Sequence, residues 1–239
     1  MKLGIMQPYF FPYLGHFALI AAVDEWIVFD VTQYTPKTWM NRNRILHPKE
    51  GWQYATVPLA NSSTSIKTHE ARVLNLIDTK TSLLGKLSTF RKHAPFYAEV
   101  SQLVRDAFER TTGDSLCALN VNALQAVCEY LGLPFSWRIG SELNLAFPEE
   151  MGPGDWAPFI CRALGATEYV NPLGGRDLFD PVKFARIGVS LRFAGFDEFT
   201  YDPAPFRYEP HLSIIDVLLW NAPDKVAHAL RSHVTLQAP

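Results

Sequence analysis

The sequence predicts an α/β fold with a mostly parallel sheet flanked by helices and a helical insertion. Three observations predict it. Short apolar runs of strand length alternate with segments of helical period. The first thirty residues read strand, loop, helix, strand, which is the βαβ unit of a parallel sheet. Residues 80–132 then switch to helical period throughout. Together they describe one α/β domain over residues 1–239, with 80–132 as a helical subdomain.

The first strand is Leu3 to Met6. It stops at Gln7-Pro8, because proline cannot continue a central strand. An aromatic loop follows, then a helix from near Gly15 through Val23, closed by Asp24. Trp26 to Phe29 is a second buried strand ending at Asp30. Gln33 to Arg44 reads as an exposed polar stretch, Trp52 to Pro58 as a strand, and Ala60 to Ser65 as a loop by composition. Glu70 to Leu76 is expected to be another strand.

Tyr97, Val100, Val104 and Phe108 fall on one helical face. Asp114 is expected to cap the next helix, whose stripe is Leu116, Leu119, Ala123, Val127 and Leu131. Gly132 and Pro134 end it. Phe135 to Ile139 is a strand. Asp155 is expected to cap Trp156 to Leu164, and Glu168 to Val170 is a short strand before Asn171 to Gly175. Asp180-Pro181 opens a helix with proline at its first position. Val189 to Phe193 is a strand. Ser213 caps a helix through Leu219, with Asp216 completing a partial capping box, and Pro223-Asp224 opens the last helix.

Composition excludes several classes. An apolar fraction of 48% with 19% charged residues excludes a disordered chain. Lys plus Arg total 22 against 24 Asp plus Glu, and a net charge of −2 argues against a general nucleic-acid footprint. No apolar run reaches the roughly 18 residues that cross a bilayer, so no membrane insertion is expected. The N-terminus, interrupted by Gln7, Pro8 and Pro12, is not a signal peptide, and a cytoplasmic location is expected. Cys117, Cys128 and Cys161 are odd in number and widely spaced, which predicts neither a disulfide framework nor a zinc site.

In open parallel sheets, ligands bind outside the carboxyl ends of the strands. Those ends carry Gln7-Pro8, Asp30, Gly140-Ser141 and Asn171 to Gly175. Gly15-His16 stands at a helix start, where backbone N–H groups favour an anion and a histidine can donate to phosphate. This segment looks like the "G-H, then apolar helix" element of nucleotidylyltransferase-like folds. These include amide ligases that bind ATP there. The other reading is a histidine bonded to a backbone carbonyl.

Asn41-Arg42-Asn43-Arg44 packs two guanidiniums and two amides into four residues. If the piece is extended, Arg42 and Arg44 point the same way and suit phosphate or carboxylate. Trp39 can stack on a base or sugar. A solvated turn is the alternative. Arg91-Lys92-His93 reads as a solvated helix end. Gly174-Gly175 permits close backbone approach to a ligand or makes a plain turn. No phosphate-loop or dinucleotide-binding pattern occurs, and Ser213 lacks the surroundings of a hydrolase serine.

Met6-Gln-Pro-Tyr-Phe-Phe-Pro-Tyr-Leu-Gly15 is an unusual decapeptide. It is followed by Asp24, Phe29-Asp30 and Trp39-Met-Asn-Arg-Asn-Arg-Ile45. Further on stand Leu164-Gly-Ala166, Tyr169, Gly174-Gly175, Phe206 and Leu212-Ser-Ile-Ile-Asp216. In this order they resemble the WbqC-like family of bacterial proteins over nearly the whole chain.

The resemblance implies a setting in surface-polysaccharide, O-antigen and other biosynthetic gene clusters. It also implies amide formation on a sugar amine. It carries over Gln7, Pro8, Tyr9, Gly15, Asp30, Asn41, Arg42, Asn43 and Arg44 as site residues. The chain departs from the family where His16 replaces a common tyrosine or other bulky residue. It departs again where Val31 replaces a second acidic residue that often follows the first.

The resulting expectation is a transferase or ligase joining an acyl or aminoacyl group to an amine. Asp30 would be a general base or a magnesium ligand, Arg44 would stabilise developing charge, and Asn43 would orient a carbonyl or hydroxyl. Gln7, Pro8, Tyr9, Gly15, His16, Trp39, Asn41, Arg42, Gly174 and Gly175 would bind substrate or phosphate. ATP with Mg is the candidate cofactor pair, and a nucleotide sugar the candidate small-molecule partner; no protein metal site is expected. The alternative class is a non-catalytic binder of a nucleotide sugar or a partner enzyme.

Overall fold

A computed structural model describes all residues, 1–239. Its central sheet has the strand order β5-β2-β1-β6-β7-β8. The strands are β1 (Lys2–Met6), β2 (Glu25–Val28), β5 (Trp137–Ile139), β6 (Glu168–Pro172), β7 (Ser190–Phe196) and β8 (Val234–Gln237). The first five run parallel, and β8 closes one edge antiparallel to β7. β1 is central because both of its edges are paired: Gly4 lies opposite Trp26 on one side and Val170 on the other.

The chain runs from β1 to β2 and then to β5 on one side. It crosses back to β6 on the other. This is the strand order of an open doubly wound sheet, with its topological switch point between β1 and β6.

Helices cover both faces. α5 (Trp156–Ala163) and α6 (Pro181–Ala185) pack over Leu3, Ile5 and Tyr169 in one apolar cluster. The other face carries α1 (Leu14–Ala21), α7 (Ile214–Trp220) and α8 (Pro223–Ser232). The helical stretch is α2 (Leu76–Leu87), α3 (Tyr97–Glu109) and α4 (Leu116–Leu131). Its Leu83, Val100 and Leu119 share one buried cluster with Phe17 and Leu218. No helix is long and apolar enough to cross a membrane.

Several local expectations are corrected. Residues 33–44 are not simply polar and exposed: Tyr34 and Met40 are buried, and β3 (Arg42–Leu46) pairs with β4 (Trp52–Thr56) as a separate two-stranded hairpin. Glu70 to Leu76 is not a strand. Thr68–Glu70 forms a 3-10 turn, and α2 already begins at Leu76, capped by Asn75. Ser115 caps α4 through the Ala118 N–H, whereas Asp114 ion-pairs with Arg72 at 3.6 Å. Asp155 precedes α5 but spends its carboxylate on Lys183 and the Gly152 N–H.

Asp216 closes no capping box. It is fully buried, and its Oδ2 accepts the Leu46 N–H at 3.1 Å. Ser213 does cap α7, through the Ile215 N–H, and its own N–H donates to the Arg44 carbonyl. The start of α7 thus occupies the edge of β3 that β4 leaves free and welds the hairpin to the main domain.

Candidate functional site

The loop after β1 forms the centre of the site. Phe10 and Phe11 are almost completely buried and anchor it, while Tyr9 and Tyr13 face the cavities on either side. Such a loop leaves carbonyls inside the protein, and each needs a donor. Asn120 from α4 donates to the Pro8 and Met40 carbonyls, both at 2.8 Å. Asn43 donates to the Phe10 carbonyl at 3.1 Å and the Phe11 carbonyl at 2.9 Å. The Ser213 hydroxyl donates to the Phe11 carbonyl at 2.7 Å. These bonds hold Phe11 at a left-handed φ of 39°, which costs a bulky residue energy unless its surroundings impose it.

Gly15 has a packing reason. A Cβ there would lie 2.5 Å from the Tyr13 ring. Only glycine lets that ring fold back over the start of α1.

The hairpin presents the second half of the site. Arg42 and Arg44 share one face of β3, as the alternation predicts. The Arg42 guanidinium sits 4.2 Å from the Tyr54 ring centroid. That of Arg44 lies 5.2 Å from Trp52 and 5.5 Å from Trp39. Neither arginine is in an ion pair. Arg44 also donates to the His211 carbonyl at 3.2 Å. Stacked between two indoles and tied at one nitrogen, it is a pre-oriented cation that lacks an anion.

Three cavities meet around the loop. The first, about 340 Å³, is walled by Tyr9, Tyr13, Trp39, Arg44 and His211. The second, about 280 Å³, lies between the start of α1 and the ends of β6 and β7, and shares Tyr13 and His211 with the first. The third, about 170 Å³, sits at the switch point with Gln7, Asn171 and Tyr9, the last shared with the first cavity. Burial pushes the hydroxyl pKa of Tyr9 and Tyr13 up, so both stay protonated donors at neutral pH.

Tyr9, Trp39 and Arg44 therefore converge on the first cavity, Gly15 and Gly174 line the second, and Gln7 lines the third. Other expected site residues serve differently. His16 is buried against Trp26, with ring centroids 4.9 Å apart, and burial lowers its pKa to about 3. It is a neutral core imidazole, not a phosphate-facing cation. Asn43 uses its amide on the loop, so it positions the site instead of orienting substrate. Asn41 donates to the Val57 carbonyl at 3.2 Å and closes the hairpin mouth. Pro8 is buried and contributes its carbonyl to Asn120. At Gly175 a Cβ would meet the Asn171 amide at 2.1 Å, so its requirement is close packing.

Asp30 is not brought together with Arg44. Its Oδ1 accepts the Ser141 N–H at 2.8 Å and its Oδ2 accepts the Ser141 hydroxyl at 2.7 Å. It straps the end of β2 to the end of β5, beneath a separate polar cleft walled by Ser141, Cys117 and His69. That removes it as the general base beside Arg44. No group of three or more His, Cys, Asp or Glu residues is arranged to hold a metal ion.

Sequence reasoning missed Tyr13, Trp52, Asn120, Ser213 and His211 as parts of the site. Asn120 had a legible signal: it lies four residues from Leu116, on the apolar stripe of α4, where an amide needs partners. His211 had none. It reaches the site because its backbone takes φ 56° and turns its carbonyl to Arg44.

An open doubly wound sheet with a stacked, unpaired arginine beside the loop after its first strand defines an α/β protein with an aromatic and cationic cavity at the carboxyl edge of the sheet. The chain belongs to the WbqC-like protein family, whose family model matches residues 7–228. It is 28% identical over 218 residues to Uncharacterized protein Rv1507c of Mycobacterium tuberculosis, covering 91% of this chain and 92% of that one. No solved structure matches it significantly.

Proposed function

We propose that this protein is a transferase or ligase of glycoconjugate biosynthesis that joins an acyl or aminoacyl group to an amine. The glycoconjugate setting follows from the family resemblance. The chemistry rests on Arg44, a cation held between Trp39 and Trp52 with no carboxylate partner, opening on a cavity walled by tyrosines.

A nucleotide or nucleotide sugar would place phosphate on Arg44 and a ring against Trp39. Tyr9 and Tyr13 would donate to the acyl carbonyl as negative charge grows on its oxygen. The amine nitrogen attacks the carbonyl carbon of a phosphate-activated acyl donor. The C–N bond forms, and the bond to the phosphate leaving group breaks. The amine proton passes to the His211 imidazole at the junction of the two larger cavities.

The test is thermal stabilisation by ATP and a panel of sugar nucleotides, with and without magnesium. A ligand at 100 times its Kd should add about 2.7 kcal/mol. Arg44→Ala is expected to weaken that ligand tenfold or more, on the order of the ~1.5–3 kcal/mol carried by a charge-assisted hydrogen bond. Equal affinity in both proteins would remove Arg44 as the phosphate site.

A second reading is a non-catalytic binder. It is favoured by the engagement of both Asp30 oxygens with Ser141, which leaves no free carboxylate in the Arg44 cavity. Mass spectrometry of nucleotide, acyl donor and amino sugar incubated with the protein separates the two. Enzymes consume them; binders return them intact.

A further inference from the structure

The second cavity is chemically unlike the first. Its charged lining is Asp197, Glu198 and Glu209, with no lysine or arginine. None of the three carboxylates is in an ion pair. The Lys225 ammonium lies 5.5 Å from the centroid of Phe199, a wall of the cavity, and donates to Asn221, but Lys225 itself does not line the cavity.

The remaining walls are rings. Tyr201 and Tyr208 meet edge to face with centroids 5.2 Å apart, Phe199 lies 6.5 Å from Tyr201, and Tyr13 closes the side toward Arg44. Tyr201 keeps a buried hydroxyl with no hydrogen-bond partner. The Tyr208 hydroxyl donates to the Phe199 carbonyl, so the rings are fixed relative to one another. Burial raises the Tyr208 pKa, and the Glu198 charge nearby raises it further. Unpaired carboxylates repel phosphate, whereas aromatic faces beside them attract an ammonium group.

We propose that this cavity is the binding site for the amine substrate, taken up as its ammonium form on a ring of sugar size. The inference rests on the amine-acceptor reading above and gives it a place. Tyr13 and His211 belong to both cavities, so an amine leaving the acidic side meets His211 and the Arg44-bound donor across one shared wall. There the ammonium first releases one proton to solvent and becomes the nucleophilic free amine, and its second proton passes to the His211 imidazole as the C–N bond forms.

The probe pair is cyclohexylammonium and cyclohexanol at pH 7.5, titrated by ligand-observed NMR. The ammonium is expected to bind at least tenfold more tightly than the alcohol. A Glu198→Gln, Glu209→Gln double variant, which leaves Asp197 as the one remaining carboxylate, should shrink that difference severalfold. Arg44→Ala should leave it intact while losing nucleotide binding, so failure of the phosphate site and failure of this site give different results.

Should the double variant fail to fold, wild type at rising salt carries the test, because charge-driven binding weakens as ions screen it. Equal binding of the two probes overturns the proposal. So does ATP binding that improves when the carboxylates become amides, which would make this cavity the nucleotide pocket.

Discussion

Asn120→Leu is expected to cost about 2–5 kcal/mol of stability, measured by urea unfolding. The side chain is completely buried, and its amide satisfies the Pro8 and Met40 carbonyls at 2.8 Å each. Leucine keeps the branched outline, though it is larger, and leaves both acceptors unpaired inside the protein at about 1–3 kcal/mol each, offset in part by removal of the unpartnered Asn120 Oδ1. The total is a large part of the ~5–15 kcal/mol that holds a domain together. The loss should be felt twice, since the Pro8 carbonyl belongs to the site loop and that of Met40 to the approach to β3. Nucleotide binding should fall with stability. A loss below about 1 kcal/mol would mean that water replaces the amide and that the loop is not held from α4.

The second large effect is on pH dependence, where two buried groups act in opposite senses. Burial holds the His16 pKa near 3 against an ordinary 6.5. The unfolded chain takes up a proton below pH 6.5 that the folded chain refuses, so stability falls as pH drops from 6.5 toward 3. Burial raises the Asp216 pKa from 3.8 to about 8, opposed only by the hydrogen bond from Leu46. Here the folded chain keeps a proton that the unfolded chain releases, so stability falls as pH rises from about 4 to 8. Between about pH 4 and 6.5 the two slopes oppose and cancel, so wild type is nearly flat there and loses stability from about pH 6.5 to 8, at about 1.4 kcal/mol per pH unit.

His16→Phe should therefore uncover a fall in stability that begins near pH 4, and Asp216→Asn should uncover a rise from pH 4 to 6.5 and remove the fall from 6.5 to 8, whatever constant offset each substitution adds. Melting temperatures from pH 4 to 9 would show this. Parallel wild-type and variant curves would place the sensitivity elsewhere.

The effect on function differs between the two. His16 lies beneath Tyr9, with ring centroids 5.5 Å apart, so its protonation would disturb the wall shared by the first and third cavities. Asp216 holds β3 to α7 by accepting the Leu46 N–H, a bond that ionisation strengthens, so its cost is that of a buried charge and falls on stability, not on the seating of Arg44.

Much of the frame was legible from local pattern. Leu3–Met6 and Trp26–Phe29 are apolar runs too short for helices, and the structure makes them β1 and β2 of a parallel sheet. Gly132 adopts φ 61° and Gly165 φ 67°, each beside the end of a helix the sequence placed there. Arg42 and Arg44 share a face because alternate residues of a strand must. The hairpin carrying them was partly missed. Its inward residues, Asn43 and Ile45, are buried by α7 and the site loop, not by a pattern within the segment.

The site residues divide along the same line. Trp39 and Arg44 stood out by their ring and charge, and Tyr9 came with the family resemblance. That Asn43, Asp30 and His16 face inward was not evident, because a polar side chain announces a need for partners without saying where they are. Asn120 finds the Pro8 carbonyl 112 residues away, Ser141 finds Asp30 across 111, and Ser213 finds Phe11 across 202.

Sequence by itself determined the five parallel strands, the polar residues at their carboxyl ends, and the two arginines that strand alternation puts on one face; the edge strand β8 was not among them. Tertiary structure alone decided which polar groups were consumed in holding the loop and which, like the Arg44 guanidinium, were left without an ionic partner. The reason is that a buried donor or acceptor must be satisfied wherever the fold brings a partner within 3 Å, and that distance is set by packing between elements remote in the chain.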